Sequence, residues 1–361
     1  MTTTVCAVRK QKKCKILKNC IDKPGCKETI GRRRAELSIV EKVKKRRRFF
    51  TAKQAAEAKS SEEMMFEDVC MMWLESKRLS VKESTYARYR TVIKKHFCTY
   101  FSGLYISQIT EQSAQSFIES LVSNHKPKTV KDIASVLKQI ISYANIQVLS
   151  LPVTVNIRLP KESKSKTEVF SSSEYRKLLQ ALQRNPDLDH LGILICLQTG
   201  VRLGEICGLR FGDINFERKT ISIQRTIQRI QDGNGGTRFL IDTPKTESSF
   251  REIPLSTMLM KRLEPYSHQP PSYYLLTCSE NFMQPRTYQN RFKKFLCNNG
   301  LPQVNFHVLR HTFASRAVEL GFDIKSLSEI LGHASVQITL NRYVHPSMEQ
   351  QRKQMELFST V

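Results

Sequence analysis

No stretch of this chain approaches the ~20 consecutive apolar residues that would cross a bilayer, and its N-terminus lacks the apolar core of a secretion signal. A cytoplasmic protein is the expectation, and a membrane partner is not. Acidic residues are scarce: 33 Asp and Glu face 58 Lys and Arg, a formal net charge of +25. Such a balance suits a partner of dense negative charge, nucleic acid first, with a membrane surface as the rival. Close cysteine pairing is missing too. Cys6, Cys14, Cys20 and Cys26 form no Cys-x-x-Cys pair, so a tetrahedral zinc site there competes with free thiols in a basic arm, which the spacing favours. Cys70, Cys98, Cys196, Cys207, Cys278 and Cys297 are scattered singly, several amid apolar residues, and read as buried thiols, not bridges.

At 361 residues the chain has room for two or three domains with their own cores. Residues 1–60 carry 19 Lys or Arg against 5 Asp or Glu, a net +14 of the total +25. This basic N-terminal arm contains Arg46, Arg47 and Arg48, candidate phosphate contacts that would make affinity salt-dependent. A solvated or targeting-like tail is the plainer alternative.

Residues 61–158 read as four short amphipathic helices. Ser60 and Glu63 have capping-box spacing ahead of Phe66, Cys70, Trp73 and Leu74. Tyr86, Tyr89, Ile93 and Phe97 form a second apolar stripe, and Arg88, Arg90, Lys94 and Lys95 beside it are candidate DNA contacts. Thr110 is placed to cap a third helix carrying Ala114, Phe117, Ile118 and Leu121. Thr129 with Asp132 is placed to cap a fourth, with Val130, Ile133, Leu137, Ile140, Ile141 and Ala144 along one face. A bundle of this kind binds DNA or is purely structural. Residues 159–168, polar and proline-flanked, predict a linker. In residues 169–345, helical patterns run to Leu209. The alternating stretches Thr220–Gln224 and Arg238–Ile241 follow, with Gly233, Gly235 and Gly236 in the turn between them, and helices resume near Thr287. The expected fold class is mainly α with a small antiparallel β-sheet: a helical domain, then a mixed α/β domain, then a short tail, 346–361.

Breaking and rejoining a phosphodiester without metal or water needs a nucleophile, charge on the non-bridging oxygens and a proton for the departing 5′-oxygen. The segment Thr199-Gly200-Val201-Arg202-Leu203-Gly204-Glu205 sets an arginine at the mouth of a helix, where backbone amides also favour anions. Glu205, three residues on, can face Arg202 and orient it. His307 and Arg310 lie one helical turn apart and can point at the same phosphate. Arg202 and Arg310 are planar forks suited to its oxygens, and lysine could not substitute equally. His333 follows Gly332 at a turn, and Tyr343 closes Thr339-Leu340-Asn341-Arg342-Tyr343. A phenolate there could attack in line. Each residue also has a bland reading: an ion pair for an arginine, packing for a tyrosine, a structural role for a histidine, as for His311 and His345. His307 and His311 lack a third ligand, so no metal is expected.

These motifs, in this order and with Thr243-Pro244-Lys245-Thr246 and Arg251–Leu255 bracketing a hairpin between them, resemble the tyrosine recombinases, the phage-integrase family, from about Ser61 to the C-terminus. The resemblance implies a SAM-like core-binding domain over 61–158 and a catalytic domain over 169–345. It makes Tyr343 the nucleophile of a 3′-phosphotyrosyl intermediate, with Arg202, His307, Arg310 and His333 on the phosphate. Lys245 would protonate the leaving strand. No cofactor is required. The residues 46–58, a basic strand then an alanine-rich helix, are similar to the end of an arm-binding domain. The implied partners are double-stranded DNA carrying attachment sites, three further copies of the chain in a tetramer, and an excision or host DNA-bending factor, all in the bacterial nucleoid. The tail 346–361 would pass to a neighbouring protomer, or fold back on its own. The implied activity is integration or excision of a phage or transposon. A dimer-resolution recombinase, a type IB topoisomerase and a DNA-binding protein without cleavage activity are the alternatives.

Overall fold

The structure, a computed structural model, describes residues 64–149, 152–162, 168–184, 187–233, 235–242, 250–344 and 348–356. They sort into two compact units: the described parts of 1–73, 101–121 and 137–158, and those of 74–100, 122–136 and 159–361. The N-terminal helices are α1 (Phe66–Lys77), α2 (Glu83–Val92), α3 (Glu111–Val122) and α4 (Pro127–Gln147).

In the smaller unit the rings of Phe66, Phe101 and Phe117 meet at 5.0 and 5.1 Å. Thr110 caps α3 as its sequence predicts, its Oγ1 accepting from Ser113 N at 3.1 Å. The stripe Ala114, Phe117, Ile118 and Leu121 is buried. The fourth helix corrects its expectation. It starts at Pro127, two residues before the predicted cap, because proline at the first helical position has no N–H to leave unsatisfied. Lys126 O takes the amides of Thr129 and Val130 instead.

The larger unit contains α2, which runs on through a π-helical turn, Ile93–Phe97, that buries Ile93 and Phe97 and leaves Lys94 and Lys95 exposed. Its main core forms around α5 (Ser172–Arg184) and α6 (Leu188–Thr199). Leu191 through Leu197 of α6 are buried without a break, which makes it an interior helix. After α7 (Leu203–Gly208) come β1 (Ile214–Asn215), β2 (Thr220–Ile223), β3 (Thr226–Gln231), β4 (Thr237–Asp242) and β5 (Arg251–Pro254). β1, β2 and β5 make one antiparallel sheet in that order, pairing Ile221 with Ile253, while β3 and β4 pair separately. The glycine turn therefore joins β3 to β4, not the Thr220 stretch to Arg238–Ile241. The reason is visible in β3: its buried Ile227 and Ile230 are three apart and do not alternate. The chain closes with α8 (Thr257–Leu263), α9 (Pro285–Asn298), α10 (His307–Glu319), α11 (Ile324–Leu331), α12 (Val336–Tyr343) and α13 (Met348–Glu356), on which Met348 and Met355 are exposed. Among the described residues no helix is long and apolar enough to cross a membrane.

Candidate active site

Two glycine turns build the pocket. Gly200 ends α6 in the left-handed conformation (φ 68°), and a Cβ there would come within 2.6 Å of the Phe313 ring and 2.7 Å of Leu331. The turn aims the Gly200 carbonyl at Arg310, whose Nη1 donates to it at 2.7 Å. Arg310 is 2% exposed, yet its Nη2 has no hydrogen-bond partner among the described residues. Burial, then the charge of Arg202, pulls its guanidinium below the usual arginine range, to about 9, so it stays charged at neutral pH. A buried cationic donor without a partner is costly unless an anion completes it.

Arg202 stands at the head of α7. Its amide donates to Glu205 Oε2 at 2.8 Å, its Nη1 to Glu205 Oε1 at 2.8 Å and its Nη2 to Gly332 O at 3.0 Å. Glu205 thus orients Arg202 as expected. It also does more, because Arg251 from the start of β5 grips the same carboxylate, Nη1 to Oε1 at 3.2 Å and Nη2 to Oε2 at 2.8 Å. Arg251 Nε holds Ile330 O at 2.6 Å, and this arginine packs against Gly332, the second left-handed turn (φ 64°). Burial would raise the Glu205 carboxyl, but Arg251, by hydrogen bond and charge, and then Arg202 bring it down to about 2. Sequence reasoning gave Arg251 no role.

The histidines and tyrosine close the pocket. His307 begins α10, and His333 follows the Gly332 turn with its Nδ1 2.8 Å from Thr339 Oγ1. The Tyr343 ring, 7% exposed, lies parallel to that of His333 at 6.4 Å. Its hydroxyl is 2.7 Å from His311 Nδ1, and His311 Nε2 is 3.1 Å from Arg342 Nη2. His311, read from sequence as structural, therefore touches the candidate nucleophile. Burial, then Arg310 and Arg342, lowers His307 to about 4; burial, then Arg310 and Arg202, lowers His333 to about 4. Both are neutral at pH 7. Burial raises the Tyr343 phenol, while Arg310, Arg342 and Arg202 pull it back. The pocket gathers Arg202, Arg251, Arg310 and Arg342 with one carboxylate, Glu205, which Arg202 and Arg251 grip, and a phosphodiester would offset the surplus of positive charge.

Of the residues singled out in the sequence, Arg202, Glu205, His307, Arg310, His333 and Tyr343 converge here. Lys245, Arg46, Arg47, Arg48 and the four N-terminal cysteines lie outside the described residues. Arg88, Arg90, Lys94 and Lys95 lie elsewhere. Arg88 pairs with Asp132 at 2.9 Å, Arg90 Nη2 donates to Gln231 O at 2.7 Å, and Lys94 Nζ donates to Gly233 O at 3.2 Å. No group of three or more His, Cys, Asp or Glu suited to a metal ion occurs among the described residues.

Comparison with known proteins agrees with this geometry. Residues 168–350 match the phage integrase family, and residues 65–122 match its N-terminal SAM-like domain. A tyrosine recombinase XerC-like protein of Caldanaerobacter subterraneus subsp. tengcongensis is 30% identical over 323 residues, 80% of this chain and 81% of its own. The integrase of Staphylococcus phage L54a is 26% identical over 341 residues, 83% of this chain and 95% of its own. In fold, the chain is similar to the Tn1549 transposon integrase in complex with transposon right-end DNA, with a TM-score of 0.67 and 21% identity over 81% of this chain and 99% of that one. With half of its length inside the region that matches the family, this chain belongs to the phage integrase family, the tyrosine recombinases, enzymes that cut and rejoin DNA strands through a tyrosine.

Proposed function

We propose that this recombinase integrates or excises a mobile element, a phage or a conjugative transposon, and that Tyr343 is its nucleophile. The Nη2 of Arg310, buried and without a hydrogen-bond partner among the described residues, carries the reading, because a phosphate oxygen would complete it. Tyr343 Oη attacks the scissile phosphorus in line, forming a 3′-phosphotyrosine as the bond to O5′ breaks. Arg202 and Arg310 hold the non-bridging oxygens, and neutral His307 and His333 donate to them as charge builds. Lys245 delivers the proton to O5′. Because one phosphodiester replaces another, the step is reversible and needs no energy source.

Residues 61–158 would bind the core site and 169–345 would cleave it, with 159–168 as the link and the basic arm 1–60 on more distant DNA. Strand exchange between two duplexes calls for four protomers, and the exposed methionines of α13 suit a contact to a neighbour. DNA-complexed relatives, such as the Tn1549 integrase, support duplex DNA with attachment sites as the substrate.

The test is covalent trapping on nicked duplexes from the ends of the resident element. The wild-type protein forms a detergent-resistant adduct, and Tyr343→Phe binds the same DNA without forming one. Adducts with both proteins, or with neither despite salt-dependent binding, overturn the assignment.

A further inference from the structure

The phenolic oxygen of Tyr343 lies 2.7 Å from His311 Nδ1, and the far side of that imidazole, Nε2, lies 3.1 Å from Arg342 Nη2. A guanidinium has donors only, so Nε2 must accept. A neutral imidazole that accepts at Nε2 carries its proton on Nδ1. The hydrogen bond to Tyr343 therefore runs from the imidazole to the oxygen.

We propose that His311 is a further catalytic residue of this enzyme: its Nδ1–H, held in that tautomer by Arg342, donates to the Tyr343 oxygen and stabilises the phenolate as it attacks. The proposal rests on Tyr343 being the nucleophile. It changes what an imidazole beside a tyrosine would ordinarily be taken for, since His311 is then a donor and not the base that removes the phenolic proton. As the Oη–P bond forms and the P–O5′ bond breaks, the phenolic proton passes to water and one proton is delivered to O5′, so the count balances. His311 keeps its own proton throughout.

The surroundings hold the imidazole neutral and in place. His307 and Arg310 face it from α10, with the His307 ring 4.5 Å away, and Arg342 from α12. His333, from the turn before α12, also acts on it, and Arg202 and Glu205 of α7 and Arg251 of β5 line the same pocket. Burial, then His307 and Arg342, lowers its pKa to about 3, which makes it a poor proton acceptor. Its position on α10 is pinned on both sides in sequence: Arg310 holds Gly200 O, and Thr312 Oγ1 accepts from Phe170 N at 3.0 Å.

Two amides separate the donor from a mere filler. In Asn the amide nitrogen falls near the place of Nδ1, and in Gln it falls near Nε2. Single-turnover cleavage of a nicked duplex by full-length protein is the assay, with DNA affinity and melting temperature measured alongside. His311→Asn is expected to cleave within a few-fold of wild type. His311→Gln is expected to cleave roughly 10- to 100-fold more slowly, the worth of a hydrogen bond to a charged group, with the rising limb of its pH–rate profile moved to higher pH. Arg342→Met, which releases the tautomer, moves the limb in the same direction. Equal rates and profiles for the Asn and Gln variants overturn the proposal, as does a loss of rate that only tracks lost DNA binding or stability. If wild type forms a Tyr343 adduct and the two amides do not differ, the His311 role falls and the nucleophile stands. If wild type forms none, the nucleophile assignment itself falls.

Discussion

The candidate active site and the basic face of α2 carry the same kinds of cationic side chain and hold them in opposite ways. In the pocket, Arg310 and Arg251 are nearly sealed from water, and their forks are fixed by the Gly200 and Ile330 carbonyls and the Glu205 carboxylate. On α2, Arg88 and its partner Asp132 keep 58% and 45% of their side-chain surface exposed, and Arg90 and Lys94 rest on hairpin carbonyls near the Gly233 turn. A charge fixed in a low-dielectric pocket needs no reorganisation when the transition state forms, whereas an exposed one is screened by salt and swaps partners at little cost. The difference separates two jobs. On the proposed function, one set would act on a single phosphate, and the other would supply attraction that adapts to the DNA it meets.

Arg310 is where the largest effect is expected. An Arg310→Lys variant cannot hold the Gly200 carbonyl and also present a second, forked donor to a phosphate oxygen. Single-turnover cleavage is expected to fall by about 10²- to 10³-fold, the usual loss for one preorganised donor to a developing charge. DNA affinity measured by fluorescence anisotropy should change only a few-fold. A comparable loss of rate on replacing Arg90 would remove the distinction between the two regions.

A smaller effect is expected where the pocket is stabilised without touching the phosphate. Arg251→Met strips one guanidinium from the buried Glu205 carboxylate and should lower stability by about 3 kcal/mol, toward the low end for a buried pair broken from one side, because Arg202 still holds Oε1. Glu205→Gln combined with Arg251→Met should cost less than the sum of the two single changes, since each removes the other's partner. The pH dependence follows from the depressed carboxyl, about 2 in the folded protein. Its contribution is complete above the unfolded value near ~4.3 and is lost as the pH falls toward 2. In Arg251→Met the folded carboxyl rises toward the unfolded value, so the acid loss is smaller and ends at higher pH. Thermal melts between pH 7 and pH 3 would show it, and identical acid limbs for the two proteins would count against the Glu205–Arg251 pair.

What the sequence disclosed of this pocket depended on distance along the chain. Arg202 and Glu205, or His307 and Arg310, share one helical turn, so spacing alone places them together. Arg251 meets Glu205 across 46 residues and Arg342 meets His311 across 31, and no local period encodes either contact. The available signal was chemical: an arginine opening a short strand beside the inward-facing Ile253, where a charge must find a buried partner. The N-terminal helices were legible from their apolar stripes, as in α3, which packs the one face formed by Ala114, Phe117, Ile118 and Leu121. The small sheets were not, because Ile227 and Ile230 in β3 keep helical spacing and the glycine turn was credited to the wrong strand. The start of α4 was legible in principle, since Pro127 carries a stronger signal for a first helical residue than Thr129 does for a cap.

The smallest effect is expected on α2. Arg90 and Lys94 donate to the Gln231 and Gly233 carbonyls, so a contact of this pair with DNA would exchange two exposed hydrogen bonds for two phosphate contacts. Each bond given up is worth only about 0.5–1.5 kcal/mol net, so the double variant Arg90→Ala/Lys94→Ala should lose little affinity at physiological salt. Its signature lies in the salt dependence instead, because every phosphate contact removed lowers the slope of log K against log salt by about 0.9. A slope reduced by about 2, with a rate at saturating DNA that falls far less than for Arg310→Lys, places the pair on the phosphate backbone. An unchanged slope would mean that both residues stay on the hairpin when DNA binds, and that this face of α2 supports β3 and β4 and does not read the duplex.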